Sequence, residues 1–194
     1  MNRITVNIPT GVCGSFEIRK GTGTFQEAQV QIYQSEHHGR WETEPFGTYT
    51  ALWWEGFGSV MQDSAQEYFE HQPLWNNARG DILIGGLGIG LVNEYLITKP
   101  EVRSVTIIEK YSEVIDLVWT HCAKDSRFTL VQADAETWTP PAGSHWDYAW
   151  FDTWLGNNPM NCEQYEAYMI GKYSPFCGKV EVWKNLFPWM TQTQ

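Results

Sequence analysis

Four glycines sit in one short run, Asp81-Ile-Leu-Ile-Gly85-Gly86-Leu-Gly88-Ile-Gly90-Leu91, behind an apolar stretch, and an acid ends the next apolar stretch, Ser104-Val-Thr-Ile-Ile-Glu109. Glycines after a buried strand let the backbone approach a ligand closely. The start of the following helix offers unpaired N–H groups to oxygen atoms or negative groups. An acid at the carboxyl end of the neighbouring strand can accept both hydroxyl protons of a ribose. Together these features suit an adenosine-containing cofactor. Taken singly each has a plainer reading: the glycines as a tight strand-to-helix turn, and Glu109 as an exposed acid paired with Lys110.

Two more acids fall at the ends of apolar stretches. In Val131-Gln-Ala-Asp134-Ala135-Glu-Thr-Trp138, Asp134 can receive the exocyclic amine of adenine while Ala135 leaves room for the ring. It can equally cap the following turn, as short acids do. In Trp146-Asp-Tyr-Ala-Trp-Phe-Asp152-Thr-Trp154, Asp152 is positioned to orient an amine or act as a base; an Asx turn is its alternative role. His37 and His38 lie in a polar loop, and His71, His121 and His145 in or near helices and turns. None has a partner at metal-ligand spacing, so structural or solvated roles are expected and no metal site is assigned.

The elements that must hold these residues alternate from Asp81 onward. Strands are predicted at Ile82–Gly85, Val105–Glu109, Phe128–Gln132, Tyr148–Asp152 and Lys179–Trp183, with helices at about Gly90–Thr98, Ser112–Cys122 and Cys162–Tyr173. Pro140, Pro141 and Gly143 leave the connection from Asp134 to Trp146 mostly as loop or a short helix. Strands separated by crossover helices make a parallel sheet. Before this run, Ser59–Asn77 carries Met61, Ala65, Tyr68, Phe69 and Leu74 at helical intervals and is expected to be helical. Ile4–Ile8, Gly14–Ile18 and Ala28–Ile32 alternate like antiparallel strands. The expected architecture is α/β: an open, Rossmann-like, mostly parallel sheet over residues 58–194, preceded by a β-rich extension over 1–57.

Composition sets outer limits. The 194 residues suffice for one α/β domain and an appendage. A formal charge of −10 and a pI near 4.9 provide no general attraction to a phosphate backbone, so nucleic acid is not an expected partner. The four cysteines show neither zinc spacing nor a disulfide framework. That cysteine pattern fits a reducing, cytoplasmic setting, and because residues 1–20 lack a signal-type apolar run and no stretch reaches membrane-spanning length, a soluble protein is expected. Eleven tryptophans are read mainly as bulk for a small core, with room for one or two to flank a flat ligand.

At this point the ordered set Ile-Leu-Ile-Gly-Gly-Leu-Gly-Ile-Gly, Val-Thr-Ile-Ile-Glu-Lys, Val-Gln-Ala-Asp-Ala-Glu and Trp-Asp-Tyr-Ala-Trp-Phe-Asp resembles the class I S-adenosylmethionine-dependent methyltransferase fold, and most closely its spermidine-synthase-like branch. The resemblance covers about Ser59 to Trp183. Ile84-Gly85-Gly86 is similar to the Ile-Gly-Gly of polyamine synthases. Ser59-Val-Met-Gln62-Asp and Tyr68–Trp75 resemble the segment where those enzymes carry a cofactor-binding Gln and a Tyr-His-Glu run.

The resemblance implies cofactor contacts from Gln62, Gly85, Gly86, Gly88, Gly90, Glu109, Lys110, Asp134 and Ala135, with Asp152 facing the transferred group. The cofactor implied is S-adenosylmethionine, or its decarboxylated form. Polyamine synthases, however, keep an acid where this chain has Gly88 and another where it has Leu155, and those acids serve aminopropyl transfer. The sheet is also expected to end at its fifth strand, short of the usual class I complement.

The reading that follows is a transferase of methyltransferase type acting on a small-molecule acceptor that the sequence does not reveal. An aminopropyltransferase is the rival of the same class, and a non-catalytic binding or scaffold protein the rival of another. An NAD-dependent dehydrogenase fits less well, because Leu91 and Val92 stand where G-x-G-x-x-G needs its last small residue. A homo-oligomer would cover an exposed sheet edge.

Overall fold

The computed structural model describes residues 4–23, 47–155 and 158–183. Two sheets share them. The first is antiparallel, in the order β1 (Gly11–Cys13), β2 (Phe16–Gly23), β3 (Gly47–Trp54) and β4 (Gly58–Gln62). The second holds β5 (Gly80–Gly85), β6 (Val102–Glu109), β7 (Phe128–Gln132), β8 (Trp146–Phe151) and β9 (Cys177–Val182) in the order β7-β6-β5-β8-β9, with every neighbouring pair parallel. This is the open, doubly wound α/β arrangement, Rossmann-like in its order. The chain works outward from β5 to β7 and then returns to the other side of β5 at β8. Ligands bind such sheets at that reversal, beyond the carboxyl ends of the strands.

The helices are short. α1 (Ala65–Glu70) and α2 (Gln72–Asn77) precede β5, α3 (Leu91–Leu96) follows the glycine loop, α4 (Ser112–Val118) follows β6, and α5 (Cys162–Tyr173) leads through a 3₁₀ turn into β9. α5 begins on a complete capping box, in which Asn161 and Gln164 each bond the other's backbone N–H.

Two regions depart from the expectation. Ser59–Gln62 is strand rather than helix, since Ser59 pairs with Trp53, Met61 with Leu52 and Gln62 with Ala51. Helix begins only after Ser64, whose hydroxyl accepts the Glu67 N–H at 3.1 Å. The antiparallel sheet therefore continues past residue 57. Ile4–Ile8 is not paired as a strand, yet Val6 and Ile8 are buried. The segment is anchored by Asp63, which accepts the N–H groups of Val6 and Thr50. Ala28–Ile32 lies outside the described residues, as do His37 and His38.

One apolar core joins the sheets: Ile8, Phe16, Ile18 and Leu52 from the N-terminal part pack with Ile82, Ile84, Ile107 and Trp150 of the parallel sheet. On the other face, Leu83, Ala149 and Phe151 pack under Tyr165, Met169 and Tyr173 of α5. Strands buried on both faces must be apolar throughout, as Ile82-Leu83-Ile84 is. No helix among the described residues is long and apolar enough to cross a membrane, and all four cysteines are free.

Candidate functional site

A cavity of about 460 Å³ opens where the carboxyl ends of β5, β6 and β8 meet the antiparallel sheet. Its walls include Trp54 and Met61 from one sheet and Gly86, Glu109, Ala135 and Asp152 from the other. That volume suits a small organic ligand. Of the residues singled out in the sequence, the glycines Gly85, Gly86 and Gly88 line the cavity, as do Glu109, Lys110, Asp134, Ala135 and Asp152, while Gln62 and Gly90 do not. Gln62 is held in β4, and its backbone bonds to the Glu67 carboxylate. Gly90 caps α3 at φ 75° and packs against Cys122.

The glycine loop is tied to the protein more than the sequence suggests. The N–H of Gly86 bonds to the carbonyl of Ile108, that of Gly90 to Leu87, and that of Leu87 to the Glu109 carboxylate at 2.9 Å. These three N–H groups are thus committed internally. Gly86 takes φ 95°, and a Cβ there would stand 3.0 Å from the carbonyl oxygen of Asp152. Gly88 takes φ 51°, and a Cβ there would run into the Met61 sulfur. An acid at position 88 has no seat while Met61 occupies it.

Glu109 is 6% exposed. Its second carboxylate oxygen accepts the N–H of Tyr111 at 2.9 Å. Burial raises its pKa, and the backbone N–H groups of Tyr111, Leu87 and Lys110 oppose that rise. It is therefore not exposed, and Lys110 meets it through the backbone and not through its ammonium. Lys110 instead meets Asp134 at 2.9 Å, and Asp134 also accepts the Glu136 N–H at 2.9 Å, so it does cap the turn. Burial works to raise the Asp134 pKa, but Lys110 and the Glu136 N–H outweigh it and hold the carboxyl below its ordinary value. Ala135 is buried, and its carbonyl is fixed by the hydroxyl of Tyr173 at 2.7 Å.

Asp152 follows β8, with its N–H on the carbonyl of Gly85 at 3.2 Å. One carboxylate oxygen lies 3.3 Å from Nε2 of His71, whose side chain is 1% exposed. On the other side of the ring, Nδ1 is 2.8 Å from the backbone carbonyl of Glu67 and 3.7 Å from its carboxylate. The three donor groups Glu67, His71 and Asp152 all lie within 4.8 Å of one another. His71 was thus missed in the sequence as a site residue. The available signal was the Glu67-x-x-x-His71 spacing, which puts both side chains on one helical face; Asp152 comes from a distant strand. Trp75 stacks on the His71 ring at 5.3 Å.

No model of a known protein family matches the chain. It is 28% identical over 110 residues to polyamine aminopropyltransferases 1 and 2 of Ralstonia nicotianae, a stretch covering 49% of this chain and 22% or 21% of those proteins. The chain thus spans about a fifth of the length of the curated relatives it matches. Among solved structures it is similar to spermidine synthase from Thermotoga maritima, at 17% identity and a TM-score of 0.45, over 80% of this chain and 50% of that one. It is also similar to a dimethyladenosine transferase from Plasmodium falciparum, at 18% identity and a TM-score of 0.35, over 46% of this chain and 32% of that one. The curated matches agree with the sequence resemblance to the spermidine-synthase-like branch.

Proposed function

We propose that the chain binds S-adenosylmethionine in this cavity and transfers its methyl group to a small-molecule acceptor. The observation that carries the reading is the convergence of Glu109, Ala135, the glycine loop and Asp152 on one cavity at the sheet's reversal point. The lining suits a cationic sulfonium, since the acids Glu70, Asp134, Glu136 and Asp152 there outnumber the basic Lys110 and His71, while burial raises the pKa of Glu67 and Glu109. The cofactor supplies a group already activated for displacement. The remaining tasks are alignment and proton handling.

Glu109 would hold the ribose with the lone pairs left over from its two N–H partners. Ala135 would leave space for the adenine ring. Asp134, committed to Lys110 and to its turn, would shape the adenine end rather than be wholly given to the amine. Asp152 would orient the acceptor and take up its proton.

Aminopropyl transfer from the decarboxylated cofactor is the second reading, favoured by the relatives' names. Gly88 and Leu155 weigh against it, because the first is covered by Met61 and the second puts an aliphatic side chain on the cavity wall. The test is incubation of the purified chain with S-adenosylmethionine and a broad metabolite mixture, followed by mass spectrometry. Methylated product with S-adenosylhomocysteine is expected. An aminopropylated product from the decarboxylated cofactor would favour the second reading. Thermal stabilisation without any product would favour a binding protein, and no stabilisation by either S-adenosyl compound would defeat all three.

A further inference from the structure

Asp152 does not stand alone in the cavity wall. His71, at the junction of α1 and α2, presents Nε2 to one oxygen of the Asp152 carboxylate at 3.3 Å, and its other nitrogen to Glu67. The ring stacks on the indole of Trp75 at 5.3 Å and meets that of Trp150 at 5.6 Å in a tilted contact. Its N–H direction is fixed as well, since Nδ1 is engaged with the Glu67 carbonyl. A group held this firmly can dictate where its partner points.

We infer that His71 is a positioning residue: through Nε2–H it holds one oxygen of Asp152 and leaves the other turned to the acceptor, with Glu67 backing the far side of the ring. This rests on the proposed transfer reaction, in which Asp152 handles the acceptor's proton. The charged groups around the ring are Glu67 and Glu70 of α1 and Asp152 beyond β8, with the Tyr165 hydroxyl of α5 in the field of Asp152. The aromatic faces of Trp75 and Trp150 add no titrating group. Burial acts to lower the His71 pKa, but Asp152 and then Glu67 outweigh it, leaving it raised to about 9. The ring therefore carries both protons at neutral pH. Above that pKa Nε2 loses its proton and faces Asp152 with a lone pair, and the clamp releases.

The same three side chains are close enough to attract a cation. Their directions argue otherwise: the two carboxylates address different nitrogens of one ring, and Nδ1 is taken by a carbonyl. A cation on Nε2 in the ring plane would meet Asp152 and leave Glu67 on the opposite nitrogen.

The test follows S-adenosylhomocysteine release from S-adenosylmethionine plus the metabolite mixture between pH 6 and 10, for the unaltered chain, His71→Ala and His71→Gln. The His71 ring is followed by NMR in the unaltered chain and in Asp152→Asn. Expected are a fall in rate near pH 9 that is missing in His71→Gln, whose amide donates at any pH, and a loss of about tenfold or more in kcat for His71→Ala with a smaller change in KM. The ring should also titrate at least about one unit lower in Asp152→Asn. Superimposable pH profiles, a His71 ring titrating near 6.5 in the unaltered chain, or activity abolished by EDTA and restored by a divalent cation would overturn the inference. If the unaltered chain releases nothing, the transfer reading fails instead, and the NMR arm still decides the pairing. Should His71→Ala not fold, His71→Gln and the NMR comparison carry the test.

Discussion

The backbone N–H of Leu87 donates to the buried carboxylate of Glu109 at 2.9 Å, and the same carboxylate holds the N–H of Tyr111. The acid at the end of β6 therefore clamps the glycine loop to the β6–α4 turn before any ligand arrives. Any role toward a ribose is added to a structural one.

Glu109→Ala should accordingly cost stability as well as binding. Two N–H groups lose their acceptor, and each unsatisfied buried donor costs about 1 to 3 kcal/mol. Urea unfolding is expected to show a loss of about 2 to 4 kcal/mol, with binding of S-adenosylhomocysteine lost. Unchanged stability would mean that the loop holds itself.

Gly88 and Met61 should be energetically coupled. Gly88→Ala is disfavoured by φ 51° and by the Met61 sulfur in the space a Cβ would enter, at a cost of about 1 to 2 kcal/mol for the left-handed backbone plus the crowding. Met61→Ala removes only the crowding. A double-mutant cycle is expected to return a coupling of about 0.5 kcal/mol or more. Gly88→Asp alone should therefore not create an aminopropyl-donor site. Additive effects would place Met61 elsewhere in solution.

Asp134 has two separable jobs. Asp134→Asn keeps an acceptor for the Glu136 N–H and drops the charge facing Lys110, a pair whose side chains are 53% and 29% exposed. Exposed pairs contribute little, so its stability should change by less than about 1 kcal/mol. Asp134→Ala also removes the turn cap and should cost more. If Asp134→Asn weakens cofactor binding at unchanged stability, the acid touches the adenine.

Stability should fall as the solution is made alkaline. The folded-state pKa of His71 is raised from 6.5 to about 9, so its contribution is complete below pH 6.5 and is lost as pH rises through 9. At this buried position that amounts to roughly 3 kcal/mol. Glu67 and Glu109, both raised by burial, act with the same sign. Denaturant midpoints of the unaltered chain should drop between pH 6.5 and 9.5, and those of His71→Gln should drop less. Parallel curves would remove His71 as the source.

Much of this was legible in the sequence. Apolar runs such as Ile82-Leu83-Ile84 and Ile107-Ile108 mark strands buried on both faces, and β7 and α5 fall where they were expected. The strand–helix alternation carried the sheet. β4 was hidden because Met61, Ala65 and Tyr68 also fit a helical period, and only pairing with β3 decides the matter. The cue that was present is Ser64-x-x-Glu67, a helix start immediately after the strand. At the site, the residues on one strand end each could be named, but their commitments could not. Glu109 is spent on backbone, Asp134 on Lys110, and His71 meets Asp152 only because β8 lies beside β5 and the end of α1. Such relations depend on tertiary geometry that no local spacing records.

The most direct measurement is a crystal structure of the chain soaked with S-adenosylhomocysteine. The nucleoside is expected between Glu109 and Ala135, with its ribose hydroxyls on the Glu109 carboxylate and its sulfur directed toward Asp152. Density for the ligand away from this cavity, or none at saturating concentration, would contradict the account.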